Sequence, residues 1–337
     1  AALLKEQGYH VIGATMRLWT YSDSCNMKHE GCCAESAVED ARRVCDKLGI
    51  DFYVMNFKDM FKDKVVDYFV DEYIHGRTPN PCIACNKYLK FDALLKKALA
   101  MGIDYVATGH YAKIEKGEDG KYILRASEAV KKDQSYVLYN FTQEQLAHTL
   151  MPLGGYNKDW VRQKAEELGL GVAHKPDSQE ICFVEDDDYA KFITDYSGYE
   201  PKEGDILDVN GNVIGKHRGL IYYTIGQRKG IGAYGRPMFV MKIDAENNTI
   251  TLGEKGMEFS NELTAYDVNF VSGEFPKENM LITAKVRYQA PPAAAMLCPQ
   301  KDGTVKLMFP EPQRAVTPGQ AVVFYDGDIV LGGGTVL

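Results

Sequence analysis

An α/β region on a doubly wound parallel sheet, followed by a small central β-rich domain and a C-terminal β-barrel, is the architecture that these 337 residues predict. Three observations carry it. Up to about residue 200, helical and strand periodicities alternate, the rhythm of helices packed on a parallel sheet. From Pro201 onward, short runs rich in Val, Ile, Tyr and Phe are separated by Gly, Asn and Asp, as in small all-β domains. The length, at roughly 100–200 residues per domain, calls for two or three domains, each able to bury its own core.

The elements follow in order. Ala1–Gly8 reads as a helix already under way, stopped by Gly8, and Tyr9–Met16 as the strand after it. The chain is therefore expected to open on the second half of a β-α-β unit, after a first strand and its phosphate-binding loop. An amphipathic helix is predicted over 36–48, begun by Ser36 and ended near Gly49, then a strand over Asp51–Phe57. Helices over 58–74 and 86–101, and a strand over Asp104–Thr108, continue the pattern. A hairpin, Ala112–Lys116 with Lys121–Arg125, interrupts it, and helices near 143–150, 157–168 and 187–196 follow. The expected β runs are Gly204–Val209, Leu220–Thr224, Met238–Ile243, Thr249–Leu252, Ile282–Arg287, Val305–Met308 and Ala321–Tyr325. A break near Glu254–Asn261, marked by Gly253 and Gly256, divides them. The expected domains are thus 1–200, 201–262 and 263–337.

Composition removes several function classes. With 45% hydrophobic and 26% charged residues and no run of about 18 apolar positions, the chain is no integral membrane protein. Its 39 Lys and Arg against 47 Asp and Glu give a net charge of −8, which taken alone argues against a broadly basic nucleic-acid binder. The distribution reverses that inference locally. Between Asp208 and Asp244 no acidic residue occurs, while Lys216, Arg218, Arg228, Lys229, Arg236 and Lys242 are interleaved with His217, Tyr222, Tyr223, Tyr234 and Phe239. One basic face suffices to hold RNA, and the glycine-bounded loop with Gln227, Arg228 and Lys229 offers two cations and an amide for phosphates. Eight unevenly spaced cysteines and no visible targeting segment suggest a reducing, cytoplasmic setting.

Three segments carry chemistry. The first, Gly76-Arg77-Thr78-Pro79-Asn80-Pro81-Cys82-Ile83-Ala84-Cys85-Asn86-Lys87, is a proline-stiffened loop running into a helix that is expected to start at Cys85 or Asn86, where the dipole and unpaired N–H groups favour a thiolate. Redox or sulfur chemistry is the first reading of this pair, a metal or cluster the second, and inert packing the third; zinc needs two more ligands, for which only the scattered Cys25, Cys32 and Cys33 are at hand. The second segment, His174–Asp188, places Cys182 between a polar loop and an acidic helix start, with Asp186–Asp188 expected to cap that helix. Taken alone, Cys182 reads as a core residue on a short strand. The third, Asp104–Tyr111, ends a buried strand at Gly109 and His110, where a doubly wound sheet lines its ligand crevice. Lys131–Tyr136 adds basic and amide groups. Cys45 and Cys298 read as small buried hydrophobes.

Together these motifs resemble the tRNA-specific 2-thiouridylases across essentially the whole chain: Gly76–Pro81 with Cys85-Asn86-Lys87, Ala107–Tyr111, Lys132–Tyr136, Asp177-Ser178 with Ile181-Cys182-Phe183, Thr224–Gly230 and Thr317–Gln320. The resemblance implies a PP-loop ATP pyrophosphatase domain, a central domain and a C-terminal barrel, with the phosphate loop preceding Ala1. It implies ATP with Mg2+ as cofactor, Met16 and Gly109 as remaining nucleotide contacts, and Asn80, Pro81 and Cys82 beside the target base. His110, Lys132, Asp133, Gln134, Arg287, Tyr288 and Gln320 would contact tRNA. Cys182 would carry a persulfide and Cys85 would close a disulfide with it during 2-thiolation of the wobble uridine. Cys82 stands where many relatives carry Asp, so Cys82, Cys85 and Cys182 could instead ligate a [4Fe–4S] cluster. The implied partners are the tRNAs for Lys, Glu and Gln and a persulfide donor such as a cysteine desulfurase or relay protein; a monomer without membrane attachment is expected. Readings from other classes are a PP-loop small-molecule synthetase, which needs no paired cysteines, and a non-catalytic RNA-binding protein, which needs neither cysteine loop.

Overall fold

A computed structural model describes residues 1–19, 35–129, 132–175, 181–184 and 187–337. Cys25, Cys32, Cys33, Lys131, Asp177, Ser178 and Asp186 lie outside the described residues. Among those described, no helix is long and apolar enough to cross a membrane.

The N-terminal region alternates helices with two parallel strand pairs. Strand β1 (Gly13–Arg17) pairs with β2 (Phe52–Asn56), and the two-residue β3 (Val106–Ala107) with β6 (Thr149–Leu150). The helix Glu35–Leu48 crosses between β1 and β2, and its Cys45 is buried with its Sγ against Gly13, where a side chain would collide with it. Two longer helical stretches, 58–74 and 81–100, each contain a π-helical segment, Lys62–Asp67 and Cys85–Ala93. Such widened turns recur at functional sites because they rotate the side chains that follow.

The central sheet has the order β8-β7-β10-β9: Val213–His217, Gly204–Leu207, Thr249–Glu254, Met238–Asp244. Ile206, Val240, Ile250 and Leu252 fill its core. His217, from the basic stretch, is buried: its Nδ1 accepts from the Gly219 N–H at 3.1 Å, so Nε2–H donates to the Asn248 carbonyl at 3.0 Å. The predicted strand Leu220–Thr224 is instead a 3-10 turn over Leu220–Tyr222, which buries Leu220 and Ile221.

Six strands close the terminal barrel: β11 (Phe259–Phe270), β14 (Val305–Arg314), β13 (Ala293–Pro299), β12 (Met280–Lys285), β15 (Ala321–Asp326) and β16 (Ile329–Val336), with β16 pairing back to β11. The hairpin β4 (Ala112–Lys116) and β5 (Tyr122–Ala126) joins this sheet through Ile329 and Arg125 rather than the parallel strands. One apolar cluster consequently takes Ile83, Phe91, Leu124 and Tyr136 from the N-terminal region and Val271, Val323 and Val330 from the barrel. Tyr136 donates from its buried hydroxyl to the Ala321 carbonyl at 2.7 Å.

Candidate active site

The cysteine helix begins one turn earlier than predicted. Asn80 caps it, its side chain accepting from the Ile83 N–H at 3.3 Å, and Pro81 takes the first position, where no N–H is needed. The Asn-Pro pair was the available signal. Cys82 therefore lies in the first turn, where the helix dipole favours a thiolate, and Cys85 one turn further in, where the π-helical segment starts. Cys82 is exposed and Cys85 buried.

Cys182 reaches the same neighbourhood from a distant part of the chain. Its segment is a turn, closed by the Val184 N–H donating to the Ile181 carbonyl at 3.0 Å, rather than the short strand expected. Phe183 anchors it: fully buried, its ring lies 5.3 Å from that of Phe69 and 5.6 Å from that of Phe61, both edge-on. Burying such a ring is worth about 2–3 kcal/mol and each edge-on pair roughly 0.5–1.5 more, enough to fix the position of its neighbour. Cys85 belongs to this aromatic cluster and Cys182 packs against it. Asp188 caps the following helix, Tyr189–Ser197, as expected, accepting from the Lys191 N–H at 2.9 Å.

A second group of predicted residues gathers around Tyr288. Burial raises its phenol, the Asp133 carboxylate and the Cys82 sulfur push it further, and Lys132 opposes them. Tyr288 donates to the Asp133 carbonyl at 3.0 Å, and Lys285 lies over the rings of Tyr136 and Tyr288 at 5.9 and 5.8 Å. Burial holds the Lys285 ammonium below its usual range. Arg287 is half-buried and acts on Tyr136 electrostatically. The Asp133 carboxylate organises its own loop, accepting from the backbone of Ser127 at 3.0 Å and from the Ser135 hydroxyl at 2.8 Å. Gln134 braces Tyr111: its Oε1 accepts from the Tyr111 N–H at 3.1 Å, and its own N–H donates to the Tyr111 carbonyl at 2.9 Å.

Other predicted residues have quieter surroundings. Met16 sits near the carboxyl end of β1, and Gly109 just past that of β3, the strand ends at which parallel sheets bind ligands. His110 shares a 2.8 Å hydrogen bond with the Thr108 hydroxyl and lies 5.7 Å from the Phe91 ring; burial, aided by Lys90, lowers its pKa to about 3. It is a neutral imidazole. Gln227 spends its amide on its own loop, accepting from the Thr224 N–H at 2.9 Å and donating to the Tyr222 and Lys229 carbonyls. Of the six cations in the basic stretch, Lys216, Arg236 and Lys242 pair with Asp205, Glu254 and Asp244, and Arg218 stacks on Tyr222 at 3.9 Å. Arg228 and Lys229 are exposed and have no ion-pair partner among the described residues. The basic face is narrower than its sequence count suggested.

Three links escaped the sequence reading. Arg77 makes a two-point pair with the buried Glu72, at 2.9 and 2.5 Å. Lys87 pairs with Asp267 of β11 at 2.6 Å. Gln320 donates to the Thr78 carbonyl at 2.8 Å. A cleft of about 370 Å³ lies between helix and barrel, lined by Asn80, Ala84, Lys87, Tyr266 and Asp267; these helix positions face away from Cys82 and Cys85 at helical spacing.

Three family models match the chain: a tRNA methyl transferase HUP domain over residues 1–186, a tRNA methyl transferase PRC-barrel domain over 190–254, and an aminomethyltransferase β-barrel domain over 260–336. The tRNA-specific 2-thiouridylase MnmA of Acetivibrio thermocellus is 58% identical over 100% of this chain and 94% of the relative, and that of Clostridioides difficile 57% identical over 100% and 93%. The chain belongs to the tRNA-specific 2-thiouridylase family. The α/β region, central sheet and terminal barrel agree with the architecture expected from the 2-thiouridylase motifs. The two cysteine segments singled out in the sequence meet at one aromatic cluster.

Proposed function

We propose that this protein is a tRNA-uridine 2-sulfurtransferase that uses ATP to replace the C2 oxygen of the wobble uridine with sulfur. One observation carries the assignment of residues: Cys85 and Cys182, remote in sequence, pack into one aromatic cluster with Phe183 between the same rings. The C2 carbonyl is a poor electrophile. Its oxygen attacks the α-phosphorus of ATP and expels pyrophosphate, so that AMP becomes the later leaving group. A persulfide on Cys182 then attacks C2 through its terminal sulfur, and AMP departs. The Cys85 thiolate next attacks the Cys182 sulfur; the S–S bond to the base breaks, 2-thiouridine is released, and a Cys85–Cys182 disulfide remains, which an external dithiol reduces.

A helix-start Cys82 that acts electrostatically on Tyr288, itself hydrogen-bonded to the Asp133 carbonyl, supports placing the flipped base there, with Asn80 and Pro81 fixing that turn. Arg287, Tyr288, Arg228 and Lys229 are proposed to position the anticodon arm, and His110, Asp133, Gln134, Gln227 and Gln320 to shape the loops that do so. The Met16 and Gly109 strand ends are the proposed nucleotide side, with Mg2+ accompanying ATP. The resemblance supports the tRNAs for Lys, Glu and Gln as substrates; a persulfide donor such as a cysteine desulfurase or relay protein, a monomeric state and, from the uneven cysteine spacing, a reducing cytoplasmic setting complete the proposal.

Among the described residues no group of three or more His, Cys, Asp or Glu side chains is placed to hold a metal ion, and no step is routed through a [4Fe–4S] cluster. The test is mass spectrometry of tRNA incubated with the full chain, ATP and a persulfide donor, where sulfur for oxygen adds about 16 Da at the wobble uridine by acyl-type substitution. Cys182→Ser is expected to abolish that gain with every sulfur source; retained turnover would refute the persulfide role, and binding without any gain would favour a non-catalytic RNA-binding protein.

A further inference from the structure

We propose that the C-terminal barrel positions the sulfur chemistry, holding the cysteine helix on both sides of Cys82 and Cys85 through Gln320 at Thr78 and Asp267 at Lys87. The proposal rests on the reading of Cys85 and Cys182 as the sulfur-handling pair, and it assigns Gln320, Lys87 and Asp267 a positioning role.

On the N-terminal side, both backbone groups of Thr78 are committed to the barrel. Its N–H donates to the Pro318 carbonyl at 2.9 Å, and its carbonyl accepts from Gln320 Nε2 at 2.8 Å. Gly319 between them has φ +86°, and a side chain there would come within 3.0 Å of Arg77 Cβ and the Thr78 nitrogen. Only glycine allows this approach. The Arg77–Glu72 pair then fixes the preceding residue to the helix 58–74.

On the C-terminal side, Lys87 Nζ meets Asp267 Oδ2 at 2.6 Å, with the lysine side chain only 27% exposed. Asp267 has φ 48°, at the point where the register between β11 and β16 shifts between Tyr266 and Asn269. A bulge of this kind re-aims one side chain out of the alternating pattern, here toward the helix. The two ties, at Thr78 and Lys87, bracket the cysteines along the chain. Attack of one sulfur on another demands in-line approach, and a misplacement of about 1 Å costs on the order of 100-fold in rate.

The test uses the full chain carrying Gln320→Met, which keeps the side-chain length and removes the donor, and Asp267→Asn, which tolerates the left-handed backbone and removes the charge. Single-turnover 2-thiouridine formation at saturating tRNA, the tRNA dissociation constant, and iodoacetamide alkylation of Cys85 without tRNA are measured. Each variant is expected to lose roughly tenfold or more in single-turnover rate at saturating tRNA and to alkylate faster at Cys85 because the buried thiol is less firmly held, and Asp267→Asn, which removes no cation, to bind tRNA within about twofold of the parent. Unchanged rates at saturation, or a loss explained wholly by weaker tRNA binding, would overturn the proposal. If the parent makes no 2-thiouridine, the functional reading fails on its own. Alkylation still decides the tie: unaltered Cys85 reactivity in both variants sinks it.

Discussion

Acidification provides a direct test of the environment of His110. Its ring is held between the Thr108 hydroxyl, at 2.8 Å, and Phe91, and burial with Lys90 nearby lowers its pKa to about 3. In the unfolded chain the value is about 6.5. Between those two values the unfolded state binds the extra proton, so the His110 contribution to stability is constant above about pH 6.5 and falls as pH drops toward 3. Integrating that difference from pH 7 to pH 5 gives a loss of about 2 kcal/mol. The assay is urea unfolding of the parent and of His110→Gln at both pH values, followed by tryptophan fluorescence. Carboxylates elsewhere titrate equally in both proteins, so the difference between them isolates the imidazole. The parent is expected to lose about 2 kcal/mol more than the variant on acidification; parallel pH dependence in the two proteins refutes the buried neutral ring. A neutral His110 also contributes no counterion release, so His110→Gln leaves the salt dependence of tRNA binding unchanged.

Arg228→Gln and Lys229→Gln are each expected to lower tRNA affinity for every sequence alike and to reduce the slope of log K against log salt by about 1, measured by filter binding across a salt series. Neither alters the single-turnover rate at saturation. Tyr136→Phe removes the donor to the Ala321 carbonyl and is expected to cost roughly 1–3 kcal/mol by leaving a buried acceptor unpaired, read as a lower urea midpoint monitored at both tryptophans.

Local patterns were legible in the sequence, and partners across the fold were not. The hairpin 112–126 declared itself through alternation around Gly117–Gly120, yet nothing nearby indicated that Arg125 would pair with Ile329, because sheet assignment is a long-range choice. Leu220–Thr224 has strand composition, but Leu220 and Ile221 are buried in a 3-10 turn; β-branched and aromatic residues report burial as readily as extension. The cations between Asp208 and Asp244 were countable, whereas Asp205, Asp244 and Glu254, which neutralise half of them, lie just outside that window. At the site, the cysteine segments were identified by residue type and motif. Their convergence depends on Phe183 reaching Phe61 and Phe69, which no spacing encodes.

The shared core changes what the terminal barrel contributes. Had the barrel been an independent lobe joined by a linker, domain motion would be the default, and tRNA held by the barrel would meet the cysteines at variable distance. Ile83, from the turn that carries Cys82, instead packs in the same cluster as Val323 and Val330 of the barrel. Asn269 of β11 donates to the carbonyls of Tyr139 and Phe141 at 2.7 and 3.1 Å, and Asn86, next to Cys85, donates to the Val137 carbonyl at 3.0 Å. Barrel, 135–141 turn and cysteine helix are therefore tied into one packed unit. For the proposed reaction, in which a flipped base, a persulfide and an attacking thiolate align in succession, that rigidity supplies orientation before the substrate arrives.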